Sequence, residues 1–145
     1  MINYQKILNQ KMIDVFIDIL THIKIHGFVE NNHLYITFFT NDKKVQIPTW
    51  LKKKYPDEMT IILQYEFYDL CISKNDFSVK LSFNGILTKL NIPYKSIISF
   101  ADPSANFGLI LQKNKVKNFE KKVKEKEAEK NNVINLSKYK KNQPK

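Results

Sequence analysis

The stretch FSVKLSF, at residues 77–83, carries the clearest structural signal in the chain. Phenylalanine, valine and leucine occupy every second position, and serine or lysine fills the positions between them. Because side chains alternate between the two faces of a strand, this pattern predicts a strand with one buried and one solvated face. Asn84-Gly85 then predicts a tight hairpin turn. Leu87–Ile92 is the expected partner strand, and Pro93 ends it.

Further strands are predicted on both sides of this hairpin, from short runs rich in β-branched, aromatic and aliphatic residues that are bounded by turn residues. Short strands leave exposed edges unless the sheet closes on itself, so their number favours a small closed antiparallel β-barrel. The predicted strands are His33–Thr40, Val45–Ile47, Met59–Phe67, Asp69–Ser73, Ser96–Phe100 and Phe107–Leu111.

A helix is predicted ahead of the strands, over residues 4–26. Apolar residues recur there at steps of three and four, which places them on one face of a helix. Gly27 follows the last periodic position and predicts the end of the helix. A second, one-turn helix is predicted at Thr49–Lys54, with Trp50 and Leu51 both pointing inward. The apolar stripe of the first helix consists of Ile13, Phe16, Ile17, Leu20 and Ile23.

The positive charge is concentrated at the C-terminal end. All 24 basic residues of the 145-residue chain are lysines, and the formal net charge is +10. Residues 1–112 carry 12 lysines and 10 acidic residues, whereas residues 113–145 carry 12 lysines and four glutamates. The absence of arginine disfavours specific nucleic-acid recognition, because the guanidinium fork matches phosphate and guanine acceptors better than an ammonium group does. The basic stretch predicts a solvated, disordered tail, with weak non-specific nucleic-acid binding as the alternative.

The composition changes twice within this tail. Residues 113–132 have few apolar side chains and dense charge, so they predict a flexible linker that cannot fold alone. Residues 133–145 then bring apolar side chains back at Val133, Ile134, Leu136 and Tyr139. From composition alone, this island is either a short recognition motif or a segment that folds back onto the body. Residues 1–112 are accordingly expected to form the single folded domain.

Motifs for catalysis, cofactor binding and metal binding are missing or weak. The only three glycines, at 27, 85 and 108, form neither a dinucleotide-binding nor a phosphate-binding loop. Cys71 lies in an apolar run and is expected to be a buried structural thiol. Asp18, His22 and His26 lie four residues apart on the predicted helix, but a solvated helix face is favoured over a metal site. We therefore expect no enzymatic activity, no cofactor and no metal.

Six segments, in this order and spacing, resemble the SspB family, the stringent starvation protein B adaptors. The resemblance covers roughly residues 10–112 and implies an Sm-like β-barrel preceded by a helix. It also implies a homodimer whose groove binds the ssrA tag, the peptide that transfer-messenger RNA adds to stalled products, for delivery to the ClpXP protease. The segments are HLYITF (33–38), YPDEMTIILQ (55–64), FYDL (67–70), VKLSF (79–83), IPY (92–94) and FADPS (100–104) with FGL (107–109).

The tail resembles the end of the same family, where a charged linker leads to a short motif that docks on the N-terminal zinc-binding domain of ClpX. The resemblance assigns the apolar positions of that motif to Val133, Ile134 and Leu136, with Tyr139 at a position where phenylalanine is expected. Lys140 and Lys141 stand for the basic pair. Asn135 replaces a serine of the family pattern and Ser137 an aspartate. The resemblance thus favours a recognition motif over a segment that folds back.

The tag-binding groove is predicted on the mixed face of the Met59–Tyr68 stretch. Ile62, Gln64, Glu66 and Tyr68 form this face. The predicted wall of the groove is the loop with Ala101, Asp102 and Ser104. The alternatives are core packing for the two apolar residues of the mixed face and a solvated strand surface for the two polar ones. The expected partners are ClpX, ssrA-tagged polypeptides and a second copy of the chain, in the cytoplasm and without a membrane. The alternative function is a small Sm-like RNA-binding module.

Overall fold

A computed structural model describes residues 1–28 and 31–112 of the chain. The predicted linker, residues 113–132, and the predicted docking motif, residues 133–145, lie outside the described residues. The described part of the chain contains one long helix, one short helix and seven strands in two antiparallel sheets. Their bounds are α1 Tyr4–His26, β1 Leu34–Phe39, α2 Thr49–Lys54, β2 Glu58–Leu63, β3 Phe67–Ile72, β4 Asp76–Phe83, β5 Ile86–Pro93, β6 Ile97–Asp102 and β7 Phe107–Ile110.

The helix α1 begins and ends where its sequence indicates. The Asn3 side chain caps the N-terminus by accepting a hydrogen bond from the Lys6 backbone N–H at 3.0 Å. Gly27 ends the helix with a φ of +72°, a left-handed value that glycine tolerates, and its N–H donates to the Ile23 carbonyl at 2.7 Å. The buried stripe consists of Met12, Phe16, Leu20 and Ile23, while Ile13 and Ile17 are half-buried at its borders.

The β4–β5 hairpin is confirmed. Asn84 and Gly85 both have positive φ, at 52° and 81°, as a two-residue turn of the type favoured in hairpins requires. The ladder runs from the Phe83–Ile86 pair at the turn to the Asp76–Pro93 pair at the far end. This hairpin and β3 form a three-stranded sheet in the order β3-β4-β5.

The other sheet has the order β2-β1-β6-β7. On one side, Gln46 in the connection between β1 and α2 exchanges backbone hydrogen bonds of 2.9 and 3.0 Å with Asn91 on β5. This single bridge stands where a short strand at Val45–Ile47 was predicted. On the other side, β2 and β3 are the edges of two different sheets. The mainly antiparallel β-fold with an N-terminal helix is confirmed, whereas a closed ring of paired strands does not appear in the described residues.

The core is centred on Phe16, which joins α1 to both sheets. Its ring centroid lies 5.5 Å from that of Phe77 on β4 and 4.9 Å from that of Phe100 on β6. The ring of Tyr94, directly after β5, completes the cluster at 6.1 Å. Offset and edge-to-face arrangements of this kind add to the burial of apolar area. The helix therefore covers the inner faces of both sheets and fixes their relative position.

Three sequence predictions about local structure are wrong. Met59–Phe67 is not one strand, because β2 ends at Leu63 and β3 begins at Phe67, with a bend over residues 64–66. Trp50 is 41% exposed, because neighbouring residues on a helix face different directions and Leu51 takes the buried one. Cys71 is exposed, because strand alternation turns it away from its buried neighbour Leu70.

Candidate functional site

The seven residues predicted to line a groove lie on both sheets and on the segments that connect the strands. Ile62 is in β2, Tyr68 is in β3, and the intervening bend carries Gln64 and Glu66. Ala101 and Asp102 end β6, and Ser104 follows in a short 3-10 turn. The structure therefore separates the mixed face of the supposed single strand into parts of two sheets.

Ile62 and Ala101 do share one row across the four-stranded sheet. Ile62 pairs with Tyr35 on β1, and Tyr35 pairs with Ala101 on β6. Directly paired residues point to the same face, and neighbouring strands lie about 4.8 Å apart, so Tyr35 separates the other two residues by a full strand. Ile62 is 47% exposed, whereas Ala101 is buried. Of the two predicted residues in this row, only Ile62 is open to a ligand.

A groove of about 270 Å³ runs between the edge of β2 and the end of β4, and we call it the β2–β4 groove. It brings Ile62 and Glu66 together, as the sequence predicted. Within residues 1–28 and 31–112, β2 pairs with a strand on one side only, so it is an edge strand of the sheet on the side of this groove. The residues lining the groove are Thr60, Ile61, Ile62, Glu66, Leu81, Ser82 and Phe83.

The chemistry of this groove suits an extended peptide. Ile62 and Phe83 supply apolar surface, and Glu66 supplies one carboxylate. The backbone of an edge strand offers unpaired N–H and C=O groups to a peptide that adds as a further strand. The groove therefore combines backbone pairing with apolar contact. These are the two contributions that offset the conformational entropy a flexible peptide loses on binding.

Asp102 lines a different cavity, and we call it the α1–β6 cavity. This cavity of about 250 Å³ lies between the C-terminal end of α1 and the turn after β6, and its lining is largely apolar. The Asp102 carboxylate accepts hydrogen bonds from Asn32 Nδ2 at 3.2 Å, Ser104 Oγ at 2.5 Å and the Ala105 backbone N–H at 3.3 Å. Asp102 and Ser104 thus hold the turn together, and they do not wall the β2–β4 groove.

Gln64 and Tyr68 also lie outside the lining of the β2–β4 groove. Gln64 is half-buried in the bend, and Tyr68 is exposed on β3. The groove residues that sequence reasoning missed are Thr60 and Ile61 on β2 and Leu81, Ser82 and Phe83 on β4. Alternation in the FSVKLSF stretch indicates which of the β4 residues face outward, but it carries no signal for which strand of the second sheet comes to lie beside β2.

The described residues offer no arrangement for metal chemistry. No group of three or more His, Cys, Asp and Glu side chains within residues 1–28 and 31–112 is placed to hold a metal ion. The rings of His22 and His26 lie with their centroids 4.6 Å apart and their planes tilted by 44°, on an exposed turn of α1. A search of the same described residues for a helix long and apolar enough to cross a membrane finds none.

A family model described as stringent starvation protein B, SspB, matches residues 7–145. The chain belongs to the SspB family. The resemblance noted in the sequence is thereby confirmed, and the match extends beyond the described body through the whole C-terminal tail. No curated protein matches the chain. Membership in the SspB family implies an adaptor role in protein degradation and partnership with a protease or unfoldase system.

Proposed function

We propose that this SspB-family chain binds ssrA-tagged polypeptides and tethers them to the ClpX unfoldase for degradation by ClpXP. The observation that carries the proposal is the extent of the family match, which runs from Ile7 to Lys145 and so includes both the folded body and the tail. An adaptor of this kind needs one site for the tag and a second, separate site for the unfoldase. The body offers a groove for the first, and the tail sequence offers a motif for the second.

The β2–β4 groove is the proposed tag site. The tag adds as an extended segment along β2 where Thr60–Ile62 line the groove, and its side chains contact Ile62 and Phe83. The Glu66 carboxylate in the same groove disfavours acidic side chains of the tag that lie beside it and favours polar or basic ones. Of the seven residues predicted from the sequence, Ile62 and Glu66 take direct roles in this proposal, and Asp102 and Ser104 shape the turn beyond Ala101.

The tail is the proposed ClpX site. Its apolar residues Val133, Ile134, Leu136 and Tyr139 bind the N-terminal zinc-binding domain of ClpX, and Lys140 and Lys141 steer the encounter. As a flexible coil, the 20-residue linker spans about 25 Å. A tether of this length gives an effective concentration on the order of millimolar, so a weak tail contact suffices for delivery.

A homodimer is the proposed assembly, with α1 at the interface. The first turns of this helix carry Tyr4, Ile7 and Leu8, and all three are exposed. Apolar side chains that recur at this spacing on one exposed helix end are typical of a surface that a partner covers. A second copy supplies an identical surface about a two-fold axis, and it doubles the number of tag and ClpX sites.

The test is a binding experiment with two labelled partners. Fluorescence anisotropy of a labelled ssrA-tag peptide, and pull-down of the ClpX N-terminal domain, are measured with the full chain and with a chain that ends at Lys130. We expect both chains to bind the tag and only the full chain to bind ClpX. Failure of the full chain to bind the tag peptide contradicts the proposed function.

A further inference from the structure

An exposed apolar patch lies at the tip of the β4–β5 hairpin. The ring centroids of Trp50 on α2 and Phe83 on β4 are 6.3 Å apart in an edge-to-face contact. Phe83 pairs directly with Ile86 across the hairpin, so these two side chains share one face of the sheet. Trp50 is 41% exposed and Ile86 is 58% exposed. We call Trp50, Phe83 and Ile86 the Trp50 patch.

The patch is continuous with the β2–β4 groove, because Phe83 belongs to both. A peptide in the groove that continues past Phe83 therefore meets Trp50 and Ile86 next. Indole and aliphatic side chains at this exposure offer a large contact area to one bulky apolar side chain.

Positive charge borders the same patch. Lys53 and Lys54 follow Trp50 by three and four residues on α2, which is the spacing that places helix side chains on one face. Both lysines are exposed, and α2 carries no acidic residue. Lys53 and Lys54 therefore favour an acidic segment beside the patch, whereas Glu66 disfavours an acidic segment in the groove.

We propose that the Trp50 patch binds an acidic segment of the delivered polypeptide that carries a bulky apolar residue and lies outside the tag. The inference rests on the proposed function, since it assumes that the tag occupies the β2–β4 groove. It adds a second determinant of substrate choice, because tagged chains with such a segment gain contacts that other tagged chains lack. The two contacts are linked through one peptide, so even a weak patch raises the total affinity.

Trp50 is the only tryptophan of the chain, so its fluorescence reports directly on this patch. The full chain is titrated with two synthetic peptides that share the ssrA tag and differ in an N-terminal extension, composed of Glu, Leu and Phe in one and of Gln and Ser in the other. We expect the acidic apolar peptide to bind about fivefold more tightly. We also expect it to shift the Trp50 emission to shorter wavelength, because the indole leaves water.

The matched variants are Ile86→Asp and Leu87→Asp. Leu87 is the next residue, is 53% exposed and points to the opposite face, so both variants add one charge at an exposed position of the hairpin. Ile86→Asp should remove the fivefold gain and leave binding of the tag alone unchanged, whereas Leu87→Asp should retain the gain. A Lys53→Glu, Lys54→Glu double variant should also lose it.

Three results overturn the proposal: equal binding of the two extended peptides, an unchanged Trp50 emission, or equal losses in Ile86→Asp and Leu87→Asp. An emission shift that depends on protein concentration without peptide also overturns it, since a second copy then covers the patch. If the tag alone fails to bind, the proposed function fails. In that case the acidic extension is titrated as a free peptide. If the Trp50 emission wavelength does not shift, binding at the Trp50 patch is refuted independently of the tag site.

Discussion

Truncation of Ile62 tests the groove most sharply, because the side chain is half-exposed in the free protein. Full burial of an isoleucine stabilises a contact by about 1.5–3 kcal/mol. With 47% of the residue still exposed, a ligand that covers it gains about half of that range. Ile62→Ala should therefore weaken tag binding by about 1 kcal/mol, which is about fivefold in Kd. Anisotropy of a labelled ssrA-tag peptide at constant salt measures this change.

The matched control is Ile110→Ala. Ile110 lies on β7, the opposite edge of the same sheet, and is 38% exposed. Through Ser99 and Thr37 it belongs to the row next to that of Ile62, on the same outer face. Both substitutions lose similar strand propensity, so thermal unfolding should change alike while tag affinity changes only in the Ile62 variant. Wild-type affinity for Ile62→Ala, or an equal loss in Ile110→Ala, would refute the groove assignment.

Three further outcomes are expected. Glu66→Lys should weaken tag binding and invert its salt dependence while the melting temperature stays constant, as measured by anisotropy across a salt series and by circular dichroism. Leu8→Asp should shift the molar mass from dimer to monomer in light scattering, because it places a charge in the proposed interface, and an unchanged mass would count against α1 as that interface. Burial, aided by the charge of Asp76, raises the pKa of Tyr94 to about 12, so the folded state holds this proton more tightly and loses stability as the pH rises from 10 to 12. Tyr94→Phe removes the hydrogen bond to the Ser73 carbonyl and should cost about 1 kcal/mol at neutral pH, while losing less stability than wild type over that alkaline range in denaturant titrations.

Local signals were sufficient for much of the fold. The alternation in residues 77–83 and the Asn84-Gly85 turn produce the β4–β5 hairpin, because both depend only on backbone geometry within a few residues. The recurrence of apolar residues at steps of three and four predicted α1, and the glycine after it predicted where the helix ends. Each of these elements has one apolar face, so its burial follows directly from its own sequence.

The break between β2 and β3 could not be predicted from local sequence in the same way. Apolar and polar residues alternate from Leu63 to Phe67, across the bend itself, and neither glycine nor proline marks it. The chain turns because Leu63 is buried with the first sheet while Phe67 pairs with Leu81 in the second. Which residues meet across the sheets depends on that tertiary packing.

The candidate site shows the same division. Ile62 and Glu66 were predicted and do lie together, because only the short bend separates them in sequence. Asp102 was grouped with them but is held by Asn32 and Ser104 at another cavity. Its role depends on contacts with a residue 70 positions away, which sequence spacing does not encode.

The central claim is that the chain delivers tagged substrates through its tail. The most direct measurement is the rate at which ClpXP degrades an ssrA-tagged fluorescent protein, well below its KM, with no adaptor, with the full chain, with Leu136→Asp, or with Gln143→Asp as a control that adds the same charge to the same tail. The full chain and the Gln143 variant should accelerate degradation, whereas the Leu136 variant should bind the tag normally and give no acceleration. Equal acceleration by the Leu136 variant and the full chain would contradict the account.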